Sequence, residues 1–133
     1  MANRTNPNHC PCNSGMLYRD CCRPIHRSEV NAQTAEQLMR SRYSAYVRNL
    51  IPYLHQSWAV STRPEMHILQ SGHNADLQWL GLEIVAIESG QPGDLTGIVE
   101  FKAEFTESGV NSVLYERSHF IFEDETWFYL KAE

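Results

Sequence analysis

His9-Cys10-Pro11-Cys12-Asn13-Ser14-Gly15-Met16-Leu17-Tyr18-Arg19-Asp20-Cys21-Cys22 carries all four cysteines of a 133-residue chain, and its reading decides how the amino-terminal part can fold. Two thiol pairs separated by eight residues suit a tetrahedral ion such as zinc, which takes four N or S ligands. A disulfide needs Cα atoms roughly 4.4–6.8 Å apart with converging side chains, so a link within Cys10/Cys12 or Cys21/Cys22 is strained. Links between the pairs and plain buried thiols stand as the alternatives. The opening residues, Met1 to Asn8, hold no apolar core of the kind an export signal needs, and no apolar run reaches membrane-spanning length. The expectation is a reducing, cytoplasmic setting, where thiols bind metal or stay free. Ser14-Gly15 supplies a turn around the ion. His9 and His26 are reserve ligands, a position from which histidine more often supports a site than joins it. With four protein ligands and no open position, such a metal stabilises the segment rather than activating water.

The pattern Cys-Pro-Cys-x-Ser-Gly-x-x-Tyr-x-x-Cys-Cys resembles the SEC-C motif, the zinc-binding module at the carboxyl end of the preprotein translocase ATPase SecA, where it contacts the chaperone SecB and the ribosome. The resemblance implies that Cys10, Cys12, Cys21 and Cys22 are zinc ligands. Asn13 stands where the motif usually has Gly, and Asn tolerates positive φ better than most residues, so the turn is expected to survive. Thr34 to Val47, Trp58 with Ser61-Thr62-Arg63-Pro64, Trp79-x-Gly81-Leu82-Glu83-Ile84, Val99-Glu100-Phe101 and Glu116-Arg117-Ser118-x-Phe120 are similar to the bacterial YchJ family. That likeness implies a SEC-C module followed by a domain similar to nuclear transport factor 2, a cone of sheet around a helix with an interior pocket. Longer members carry a second SEC-C module, for which this chain, ending Lys131-Ala132-Glu133, has no counterpart. Trp58-Ala59-Val60 replaces the common Trp-His-Pro, which argues against histidine chemistry there. The resemblance establishes no biochemical role for the family.

The residues give the same outline on their own. Residues 1–30 are rich in Asn, Pro, Arg and Cys and poor in aliphatics, a composition that makes no core without a metal, so a zinc knuckle is expected over 1–30 and an α+β domain over 31–133. Thr34 with Gln37 reads as a capping box opening a helix, Pro52 as the first turn of a shorter helix through about Trp58, and Glu65–Leu69 as one further turn. From Trp79 the period changes to two. Four strands separated by Gln91-Pro92-Gly93, Ser108-Gly109 and Glu123-Asp124-Glu125 make an antiparallel meander, one face covered by the helices ahead of it.

Charge is unevenly spread: residues 1–64 hold eight arginines against three acids, a formal +5, and residues 65–133 three basic against thirteen acidic groups, a formal −10. Zinc with four thiolates subtracts two from the first half. The plain reading puts the acids on the solvent side of the sheet; the sharper one makes a basic face around the knuckle that meets an acidic partner. A net charge of −5 without a long basic stripe weighs against general nucleic-acid binding, ribosome-associated contacts apart.

Arg42, Tyr46, Trp58, Arg63 and Trp79 are the expected pocket lining. Strand alternation adds Glu100, Arg117 and His119 as candidates for acid–base work, against the plainer reading of a cross-strand Arg–Glu contact and a scaffolding histidine. No serine sits in a glycine-flanked elbow and no Gly-rich phosphate loop is present, which weighs against an enzyme. The leading expectation is a zinc-binding protein-interaction module docking through its knuckle on a translocation or ribosome-associated partner, with a small apolar ligand in the cone. The alternative is a small enzyme or small-molecule-binding protein acting in that pocket. A homodimer through the outer face of the sheet is left open.

Overall fold

The computed structural model describes residues 8–71 and 76–133, so the first seven residues of the expected 1–30 unit lie outside it. A 3-10 turn, Tyr18–Asp20, leads into α1 (Cys22–His26), followed by α2 (Ala35–Arg48), α3 (Ile51–Gln56) and α4 (Met66–Ser71). Four strands come next: β1 (Leu77–Ser89), β2 (Thr96–Glu107), β3 (Val110–Glu123) and β4 (Thr126–Ala132), in the antiparallel order β1-β2-β3-β4. Among the described residues no helix is long and apolar enough to cross a membrane.

α2 begins where its sequence signal lies. The Thr34 hydroxyl accepts from the Gln37 N–H at 3.0 Å, and the Gln37 side chain accepts from the Gln33 N–H at 2.6 Å, one residue earlier than the usual box partner. The helix stops at Asn49, left-handed at φ 58°, a conformation asparagine adopts at modest cost. Its first turn is seated by a close backbone approach: the Ala35 N–H donates to Gly90 O at 2.9 Å, and a Cβ added to Gly97 would lie 2.5 Å from Gly90 Cα and 3.1 Å from Ala35 Cβ. Only glycine fits there.

Tight turns hold the meander in register. Ser108-Gly109 (φ 50° and 82°) joins Glu107 to Val110 and Asp124-Glu125 (φ 49° and 65°) joins Glu123 to Thr126, both two-residue connections with positive φ at each central residue. β1 departs from simple alternation through register shifts between Trp79 and Gly81 and between Ile84 and Ala86, which let Trp79 and Leu82 both face the helices although only Leu80 and Gly81 lie between them, a spacing that plain alternation puts on opposite faces. The curved sheet wraps α2, burying Leu38, Met39 and Tyr43 against Leu82, Val99, Phe101, Ala103, Phe120 and Trp127. Each of the Leu, Val, Phe and Met side chains among them contributes roughly 1.5–3 kcal/mol on burial. Glu83, Glu88 and Glu104 are exposed on the sheet, as the charge map suggested.

Ser57 and Ala59 add a short parallel bridge to β4: the Tyr129 N–H donates to Ser57 O at 2.9 Å and the Ala59 N–H to Tyr129 O at 2.7 Å. The Thr62 hydroxyl donates to Leu130 O at 2.6 Å. The chain between α3 and α4 thereby closes one side of the cone.

Candidate functional site

Two regions carry chemistry, and α2 lies between them. The first is the cysteine cluster. His9 and Leu17 pair as an antiparallel bridge, the Cys10 N–H donates to Met16 O at 2.8 Å, and the reversal runs through Asn13 (φ 64°) and Gly15 (φ 88°). Asn13 thus takes the left-handed turn expected of it. Cys21 and Cys22 stand at the start of α1, where the chain bends (Cys21 φ −120°, ψ −94°) and their side chains diverge. The four Sγ atoms lie within 4.8 Å of one another, with Cys12–Cys21 at 3.6 Å and Cys21–Cys22 at 4.0 Å. A tetrahedron with metal–sulfur bonds of about 2.3 Å has edges of about 3.8 Å, so a contraction of about 1 Å at most along the longest edge brings the four donors onto a metal ion. A disulfide bond, at about 2.05 Å, does not match, and all four cysteines are free.

The electrostatics agree with a thiolate site. Hydrogen bonds among the sulfurs, ahead of burial, hold the Cys12 and Cys21 thiols below their ordinary range, Cys21 at about 7, and push those of Cys10 and Cys22 up. A divalent cation relieves that competition by accepting all four as thiolates. Neither reserve histidine belongs to the cluster. His26 is occupied: its Nε2 donates to Ser41 O at 2.7 Å, which fixes Nδ1 as the acceptor of the Tyr18 hydroxyl at 2.8 Å. His9 Nδ1 is buried without a hydrogen-bond partner among the described residues, beside the cluster but outside it.

The cluster is not an appendage. Cys10, Cys12 and Cys22 are at most 1% exposed and join the same apolar core as α2. Arg40 donates to Cys12 O at 2.7 Å, and Ser44 Oγ lies 3.8 Å from Cys10 Sγ. On the outer side, Asn8, His9, Leu17, Tyr18, Arg19, Arg23 and Arg48 line a groove of about 440 Å³. The Arg48 guanidinium sits 4.1 Å over the Tyr18 ring, leaving its charge at the groove's edge.

The second region is a cavity of about 270 Å³ inside the cone, between α2 and the sheet. Four of the five residues expected to line it do so: Arg42, Tyr46, Trp58 and Trp79. Arg63 does not; it donates to Trp58 O at 3.1 Å and Gln56 O at 3.3 Å and pins the end of α3 from outside. Glu100, Arg117 and His119 come together, but on the opposite face of the sheet, so the expectation that they face the cavity is corrected. Arg117 pairs with Glu88, with Glu100 at 3.6 Å and with Glu133 at 3.0 Å, and His119 lies 3.0 Å from Glu133. His119 and Arg117 together hold the Glu133 carboxyl below its usual range.

The register shows why. Val99, Phe101 and Ala103 form the inner row of β2 and stand opposite Ser118, Glu116 and Leu114, so Arg117, opposite Glu100, faces outward. Alternation alone leaves that choice of phase undecided. The inward residues that sequence reasoning missed are Glu116, Ser118 and Tyr129. Phe120, in phase with Glu116 and Ser118 and fully apolar, was the signal that could have placed them. Ser118 Oγ donates to a Glu116 carboxylate oxygen at 2.6 Å, and burial, reinforced by the Glu116 charge, pushes the Tyr129 phenol up to about 12.

Residues 34–132 match the family model described as the YchJ middle domain, similar to nuclear transport factor 2. A UPF0225 protein of Bordetella pertussis is 39% identical over 133 residues, covering 98% of this chain and 96% of that one. The solution structure of a SEC-C motif containing protein from Rhodopseudomonas palustris superposes with a TM-score of 0.84 at 28% identity, over 93% of this chain and 96% of that one. The crystal structure of another from Psychrobacter arcticus gives a TM-score of 0.78 at 27% identity, over 98% and 84%.

Proposed function

The chain belongs to the YchJ family, and from that premise we propose that it is a zinc-stabilised docking module whose knuckle and basic groove engage an acidic protein surface, on a translocation or ribosome-associated partner. The observation that carries this reading is the sulfur tetrahedron closed on four sides and backed by α2. A metal held there has no position for substrate, so its contribution is to fix the shape of a surface. Zinc is the ion such a four-thiolate set favours in a reducing compartment. The surface it fixes is basic: Arg19, Arg23 and Arg48 border one groove beside the cluster. Complementary charge of that kind governs partner choice and association rate more than raw affinity.

Elemental analysis of freshly purified protein tests the metal, with one zinc per chain expected. Co-sedimentation with purified ribosomes and capture of purified SecB test the docking. Retention by either partner, lost in an Arg23→Glu/Arg48→Glu variant that keeps its zinc, is the expected result. If neither partner is retained above a bovine albumin control, the docking reading fails.

A further inference from the structure

The cavity within the cone holds an arrangement that docking at the knuckle does not use. Arg42 is 4% exposed. Two of its bonds leave from Nη1, to Leu54 O at 2.8 Å and to Ser57 Oγ at 2.7 Å, and its guanidinium lies 5.0 Å from the Trp58 ring centre and 4.7 Å from that of Tyr129. Among the described residues no carboxylate comes within ion-pairing distance of it. Trp58, in the same wall, has a buried indole N–H without a partner among the described residues. Glu116, also in the wall, accepts from the Ser118 hydroxyl at 2.6 Å and interacts with the Tyr129 hydroxyl, and the two oxygens of a carboxylate, with about four acceptor positions, leave room for a further donor. Trp79, Phe101 and Leu114 make the remaining surface apolar.

These features select a ligand. A buried cation and an unsatisfied N–H each cost free energy that an acceptor, above all an anionic one, recovers. Hydrocarbon alone recovers none of it, and inorganic phosphate cannot use the aromatic walls. At roughly 30 Å³ per water-sized group, a cavity of about 270 Å³ takes about nine such groups. We propose that the cone cavity binds a small aromatic hydroxy-acid: its carboxylate lies against Arg42 and the Trp58 N–H, its ring against Trp79 and Phe101, and its hydroxyl donates to Glu116. The inference is independent of the docking proposal, since it concerns the other side of α2.

The test uses the full zinc-loaded chain and isothermal titration with 4-hydroxybenzoate, 4-hydroxybenzyl alcohol and benzoate. 4-Hydroxybenzoate is expected to bind at least about tenfold more tightly than the alcohol, which lacks the anion, and than benzoate, which lacks the donor. Arg42→Met risks unfolding because Arg42 ties down α3. Trp58→Phe keeps an aromatic wall and removes the N–H, and should weaken 4-hydroxybenzoate about tenfold with zinc content unchanged. Arg117→Ala, on the opposite face, should leave binding unaltered. No heat of binding at millimolar 4-hydroxybenzoate, equal binding of the alcohol, or undiminished binding by Trp58→Phe would each overturn the proposal.

Discussion

Replacing Cys22 with serine and, separately, Cys21 with serine distinguishes a sulfur that is only a ligand from one that is also core. Each change removes a donor from the tetrahedron. With zinc at about a hundred times its dissociation constant, metal binding adds about 2.7 kcal/mol to the stability of the native chain, and either variant should forfeit most of that. The two then part company. Cys22 is 1% exposed and packed in the α2 core, whereas Cys21 is half-buried with Ser14 Oγ at 3.2 Å. A buried thiol behaves as a small hydrophobe, and a hydroxyl in its place with no partner costs about 1–3 kcal/mol more. In excess chelator, where the metal contribution is gone from every protein, Cys21→Ser should unfold in urea with the wild type and Cys22→Ser earlier by that amount. Trp127, 1% exposed in the sheet core, reports the transition by fluorescence. Equal midpoints for the two variants in chelator would refute the claim that the knuckle's sulfurs belong to the domain's core.

Two further outcomes can be checked. Gly97→Ala should cost about 1–3 kcal/mol in urea unfolding, because its new methyl meets the Gly90 backbone, with Ala35 on the other side; a neutral effect would mean that the start of α2 is loosely seated. His26 is held neutral by burial, which lowers its pKa below the ordinary 6.5 against a smaller opposing effect of Ser41 O. Its contribution is complete above that value and is lost as pH falls toward the lower folded pKa, since the unfolded chain then binds the proton more strongly. Comparing His26→Gln with wild type between about pH 7.5 and 5.5 isolates it: the difference in stability should shrink as pH falls, and a constant difference contradicts the assignment.

Much of this was legible in the chain. The cysteine spacing marked the cluster, Thr34 marked the start of α2, and Ser108-Gly109 and Glu123-Asp124-Glu125 marked turns, because each signal is local chemistry. What escaped was relational. A period of two says that Arg117 and Ser118 face opposite ways but not which way is in; that is settled by Val99 and Phe101 on the neighbouring strand, through pairing that a single segment does not encode. The shifts in β1 fall at Trp79-Leu80 and within the apolar run Ile84-Val85-Ala86-Ile87, where neighbouring apolar residues do not say which of them faces inward. The burial of Ser44 and Ser41 in α2 had no signal either, since the first answers to Cys10 of the knuckle and the second to the Tyr53 hydroxyl of α3.

Arg40, Ser41 and Ser44 meet the knuckle while Arg42 and Tyr46 meet the cavity, all within two turns of α2. Such sharing limits portability. A graft of the cysteine segment onto a foreign scaffold would have to bring α2 along, and α2 without its sheet is a stem with two exposed apolar sides. Recombination is therefore expected to move these parts as one cassette, with crossover points falling outside the stretch from Cys10 to Tyr46.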